Sequence, residues 1–72
     1  MYLVRVLLEG GPSELPGKTR QQLRDSHNSE EHLRVDFRGG YEHFFFVAEL
    51  GRDKDGIPLR RYDWSYRTEI AE

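Results

Sequence analysis

Three stretches of the chain alternate apolar and polar side chains with period two, and a fourth is apolar on both faces. Leu33, Val35 and Phe37 alternate with His32, Arg34, Asp36 and Arg38. Tyr62, Trp64, Tyr66, Thr68 and Ile70 alternate with Arg61, Asp63, Ser65, Arg67 and Glu69. Between them runs Tyr41 to Leu50, with three consecutive phenylalanines, Phe44 to Phe46. Period-two alternation predicts strands with one wet face. The N-terminal stretch differs. Tyr2, Val4, Val6 and Leu8 share one face, and Leu3 and Leu7 lie on the other with Arg5 between them. A strand apolar on both faces belongs inside a sheet.

The breaks between these runs predict the turns. Gly39-Gly40 separates two strand patterns, as the central pair of a two-residue hairpin turn does, because type I′ needs positive φ at both positions. Counting outward pairs Arg38 with Tyr41, Phe37 with Glu42, Asp36 with His43, Val35 with Phe44, Arg34 with Phe45 and Leu33 with Phe46. That register joins the apolar face of 32–38 to Phe44 and Phe46, and a one-residue slip would destroy the match. A second turn falls at 51–56, and Pro58 can start the last strand but not interrupt it. Residues 12–31 carry only Leu15 and Leu23 as large apolar side chains. Thr19 to Asp25 has room for two helical turns, with Thr19 as N-cap and Gln22 closing a capping box, or for an irregular loop. The fold class expected is mainly β. It is a small four-stranded antiparallel sheet with strands near 2–9, 32–38, 41–50 and 58–70, at most one short helix within 18–26, and a single domain over 1–72. Trp64 shares a face with Tyr62 and Tyr66, which places all three in the core.

Composition narrows the function. At 72 residues, with a hydrophobic fraction of 36% and a charged fraction of 33%, the core is thin. One Trp, four Tyr and four Phe supply much of the area to bury. There is no cysteine, which excludes disulfides and thiolate metal sites. The net charge of −2 gives no footprint for nucleic acid or anionic membranes. The longest apolar run, Phe44 to Ala48, cannot cross a bilayer. Arg5 interrupts the N-terminal stretch, which reads against a signal peptide.

Candidate motifs mostly fail on counting. Gly17-Lys18-Thr19 follows a strand, but a phosphate-binding loop needs glycine five positions earlier, and Pro12 stands there. Asp53-Lys54-Asp55-Gly56 would put Gly51 and Tyr62 at the first and last positions of a calcium loop, where acids are needed. His27, His32 and His43 show no metal-ligand spacing, so no metal or other cofactor is expected. Neither the serines nor a pairing of His43 with Asp36 builds a catalytic constellation, so no catalytic residue is assigned.

The face opposite the aromatic core is the candidate binding surface. It would carry Arg34, Tyr41, His43, Phe45, Arg61 and Arg67. Arginine and aromatics dominate interface energetics. Phe45 and Val47 would be left exposed there unless Leu15 and Leu23 fold over Phe45. Arginine interleaved with aromatics is also the pattern of single-strand nucleic-acid binders. Asp36, Asp63, Glu69 and the overall acidity argue against that alternative.

Leu7-Leu8-Glu9-Gly10-Gly11-Pro12, then Arg38-Gly39-Gly40-Tyr41-Glu42-His43-Phe44, then Tyr66-Arg67-Thr68-Glu69-Ile70-Ala71-Glu72 resemble a family of short actinobacterial proteins of unknown function. Its members are often encoded near polyketide and other natural-product biosynthesis genes. The resemblance implies a cytoplasmic accessory protein of that metabolism and transfers no site residue. The function expected is therefore a small non-catalytic binding or accessory module for a protein partner or a hydrophobic metabolite. The alternative is a single-stranded nucleic-acid-binding or regulatory module. An unpaired edge strand could also pair two copies of the chain.

Overall fold

The computed structural model describes residues 3–25 and 31–69. Five strands form one mixed sheet: β1 (Leu3–Glu9), β2 (Gln21–Asp25), β3 (His32–Phe37), β4 (Gly40–Arg52) and β5 (Pro58–Glu69). Their order is β2-β1-β5-β4-β3. Neighbours pair antiparallel except β1 and β5, which run parallel. The expected four-stranded antiparallel sheet is thus corrected to five strands with one parallel pairing. β1 does lie inside the sheet, as its two apolar faces require. Parts of the expectation concerning Tyr2, His27, Ile70, Ala71 and Glu72 fall outside the described residues.

The expected helix within 18–26 shrinks to a single turn, α1 (Gly17–Arg20), and the next five residues become β2. The amides of Thr19 and Arg20 both bond to the Pro16 carbonyl, and no side chain caps the turn. So Thr19 is not the N-cap. β2 forms because β1 needs a partner on its free side. Arg24 and Asp25 place charge on this edge strand, which discourages further pairing. Arg20 then ties the connection down, with Nη1 donating to the carbonyls of Leu8 and Gly10 and Nη2 to that of Pro12.

The β3–β4 hairpin keeps the expected faces but slides by two residues. Leu33 pairs with Phe44, Val35 with Glu42 and Phe37 with Gly40. The turn is centred on Arg38-Gly39, at φ 49° and 75°, rather than on Gly39-Gly40. Arg67 supplies the reason. Its guanidinium donates to the carbonyls of Phe37 and Arg38, and a Cβ on Gly40 would sit 2.6 Å from Arg67 Nη2. Gly40 is needed in the strand, beneath that guanidinium, so the turn moves back by one residue. In consequence Arg34 lies opposite His43, not Phe45, and Asp36 lies opposite Tyr41, not His43.

One face of the sheet is the core. Val4, Val6, Leu8, Leu33, Phe44 and Tyr62 are buried on it, with Val35, Phe37 and Phe46 packed alongside. Leu15, delivered by the connection between β1 and α1, is among the described residues the one buried apolar side chain that does not come from a strand. Gly10 and Gly11 turn the chain at positive φ, and Gly11 lies so close to Trp64 that a Cβ would meet the indole at 2.8 Å. Register shifts between His43 and Phe44, between Phe46 and Ala48, and between Glu49 and Arg52 interrupt the β4–β5 ladder. Such bulges increase the local twist.

The first shift leaves Ser65 unpaired, because His43 faces Tyr66 while Phe44 faces Trp64. From Tyr66 to Glu69 the side chains change face. Tyr66, expected in the core beside Tyr62 and Trp64, joins His43 on the outer face. Arg67, expected on the outer face, turns inward against Glu42. Trp64 stays in register with Phe44 but at the rim of the core, 39% exposed.

Candidate functional site

On the outer face of β3, β4 and β5, four rings stack in sequence. Phe45 lies 4.5 Å from His32 at an interplanar angle of 5°. His32 lies 4.9 Å from His43 at 20°, and His43 lies 4.3 Å from Tyr66 at 14°. Phe45 and Tyr66 complete the group at 6.2 Å. The strands explain the arrangement. His32 is opposite Phe45, His43 is opposite Tyr66, and the two pairs are diagonal neighbours, within reach of aromatic side chains.

Hydrogen bonds run through the middle of this stack. His32 Nε2 is 2.7 Å from His43 Nδ1, and His43 Nε2 is 2.8 Å from Thr68 Oγ1. His43 is buried, at 7% exposure. Burial, followed by the charges of His32 and Arg34, holds it below the ordinary histidine range, and Glu42 opposes the shift. The outer members stay open to solvent: Phe45 is 39% exposed and Tyr66 44%. Leu15 faces the core and Leu23 is itself exposed, so neither covers Phe45 in the way the sequence allowed.

Of the six candidate residues, Arg34, Tyr41, His43 and Phe45 come together here. Arg34 stacks its guanidinium over Tyr41 at 4.5 Å. Arg61 lies further along β5, where it is exposed and paired with Asp63. Arg67 is not part of this face. On the core side it meets Glu42 and also Glu69, which raises the guanidinium above its ordinary value and lowers the Glu69 carboxyl. His32, Tyr66 and Thr68 were missed as members. The Ser65 bulge hid the last two, and the slipped register hid His32.

Elsewhere, Asp53 organises the β4–β5 turn. Its Oδ1 accepts from the amides of Asp55 and Ile57, and its Oδ2 from Arg5. The Ile57 amide, helped by Arg5 and Asp55, holds this carboxyl below its ordinary value. An open depression of about 210 Å³ at the end of β1 is lined by Glu9, Gly10, Arg61, Asp63 and Trp64. Among the described residues, no three metal-ligating side chains converge, and no helix is long and apolar enough to cross a membrane.

Sheet and site together define a small mixed-β protein carrying a histidine-centred aromatic face. The chain belongs to a family of unknown function, DUF5988, whose family model matches residues 2–72. No curated protein and no solved structure matches it.

Proposed function

We propose that the protein is a small non-catalytic binding module that engages a protein partner through the outer face of β3, β4 and β5. The observation that carries this reading is the exposure of Phe45 and Tyr66 at the two ends of a ring stack whose centre is fixed by hydrogen bonds. Rings already ordered lose little freedom on binding, and aromatic side chains dominate contact energetics. An open sheet face suits a partner surface better than a hydrophobic metabolite, which needs a concave site to bury most of its area. The single-stranded nucleic-acid reading loses support, because Arg61 and Arg67 are paired with Asp63, Glu42 and Glu69. Resemblance to proteins encoded near natural-product biosynthesis genes supports a cytoplasmic accessory role in that metabolism.

The test compares the wild type with Phe45→Ser and Tyr66→Ser. Both variants should melt close to the wild type and should no longer capture a partner from host extract. Unchanged capture by both folded variants would refute the reading. A salt-sensitive gel shift with single-stranded oligonucleotides would favour the nucleic-acid alternative instead.

A further inference from the structure

His32 and His43 stand diagonally across β3 and β4, with Nε2 of one facing Nδ1 of the other at 2.7 Å. A hydrogen bond between two imidazole nitrogens needs one proton between them. The pair has four ring nitrogens. Two protons make the neutral pair and three make the monocation, and either state leaves one proton in the shared bond. Four protons make two imidazolium rings. Each facing nitrogen then carries its own hydrogen, and the bond is lost whichever tautomers preceded it.

We propose that this pair is a proton-operated latch. The outer ring stack holds while the two imidazoles share three protons or fewer, and the doubly protonated pair releases His32 from His43 and opens the stack between Phe45 and Tyr66. Geometry makes the second cation costly. His43 is buried between His32 on one side and Tyr66 on the other, with its remaining nitrogen turned to the Thr68 hydroxyl.

The surrounding charges bear on where it forms. On the β3 side, Glu31 precedes His32, Arg34 lies opposite His43, and Asp36 lies one pair further on. On β4, Tyr41 and Phe45 flank His43 on the same face, while Glu42 lies on the core face. On β5, Tyr66 faces His43, Asp63 faces Phe45, and Arg67 is turned to the core and held by Glu42 and Glu69. Arg34 and His32 repel a proton on His43 and Glu42 attracts it, and with burial the balance lies below the ordinary value of 6.5.

The latch regulates the face read above as a contact surface, and only that consequence rests on the earlier reading. The latch itself is tested on the free protein by following the histidine ring signals and the His32–His43 ring contact by NMR from pH 8 to pH 4, with a chelator present. His43 should titrate below 6.5, and the contact should disappear at the same midpoint while core amides such as Val6 keep their folded shifts. In His32→Gln the His43 midpoint should move up toward the ordinary value. A His32–His43 contact that persists when both rings are protonated, or a His43 midpoint at or above 6.5 in the wild type, overturns the latch. Partner capture that stays constant while the stack opens refutes the contact-surface reading instead, and the titration decides the latch independently.

Discussion

Trp64→Phe isolates the hydrogen bond by which the indole at the rim of the core holds its buried acid. Glu42 is 1% exposed, and its Oε1 accepts from Trp64 Nε1 at 2.7 Å while its Oε2 accepts from Arg67. Phenylalanine keeps a ring in register with Phe44 and against Gly10 and Gly11, so much of the apolar contact survives. What is removed is a donor to a desolvated carboxylate. Hydrogen bonds to charged groups contribute about 1.5–3 kcal/mol. At roughly 0.05–0.15 kcal/mol per residue, a chain of 72 residues has about 4–11 kcal/mol of total stability, so this one bond is a substantial share. For a domain of this size the melting temperature should fall by about 6–24 °C.

A double-mutant cycle with Glu42→Gln separates the bond from the lost ring area. The amide oxygen can still accept from Trp64, but as a neutral group, where the bond contributes only about 0.5–1.5 kcal/mol. Trp64→Phe should therefore cost less in the Glu42→Gln background than in the wild type, by about 1 kcal/mol or more. Urea unfolding with tyrosine fluorescence and circular dichroism as probes reads all four corners. A cost below about 0.5 kcal/mol for Trp64→Phe, together with zero coupling, would show that the indole does not hold the carboxylate and that the reasoning is wrong.

Gly40→Ala places a methyl group 2.6 Å from Arg67 Nη2 and 2.7 Å from the Thr68 carbonyl, and the second neighbour is backbone that cannot swing away. It should destabilise by about 1–3 kcal/mol and disturb the hairpin turn; a β3–β4 hairpin in which Gly40→Ala is neutral would contradict the register. Asp53 is held low in the fold, so its stabilising share is full above the unfolded value near 3.8 and is lost as pH falls through the lower folded value. Urea midpoints between pH 2 and 5 should therefore fall with acid in the wild type and fall less steeply in Asp53→Asn; parallel curves would show that the turn does not use this carboxylate.

The strands of 32–38 and 58–70 were legible from their period-two patterns and that of 41–50 from its aromatic run between two glycine-marked turns, and β3, β4 and β5 occupy nearly those ranges. β2 was not, since Gln21-Gln22-Leu23-Arg24-Asp25 has no apolar side to show. It is a strand because β1 offers it a ladder, which is information held by another segment. The direction of β5 relative to β1 was equally silent, because alternation fixes faces and not partners. The register error at the hairpin has a sharper cause. A slip of two residues keeps every side chain on its face, so alternation cannot distinguish the two registers, and matching both Leu33 and Val35 to phenylalanines favours the one that does not form. The guanidinium of Arg67 makes the choice, from 27 residues beyond Gly40.

Glu42 is where the sequence held a clue to the site. It is in phase with Phe44 and Phe46, on the face that must become the core. A carboxylate at such a position is buried only with a partner, because an unpaired charge there is costly. Unbroken alternation on β5 offers Tyr62, Trp64 and Tyr66 to that face, and the cation in phase with them, Arg60, lies over Phe46 and away from Glu42. Moving the face change to Ser65 sends Arg67 inward to Glu42 and, by the same step, Tyr66 outward to His43. The buried ion pair and the exposed ring stack are therefore two products of one bulge. The core needs Arg67 on its side, and meeting that need places a tyrosine ring beside Phe45 on the other. What could not be read is the pairing of His32 with His43, because it depends on the corrected register and on a diagonal contact between strands.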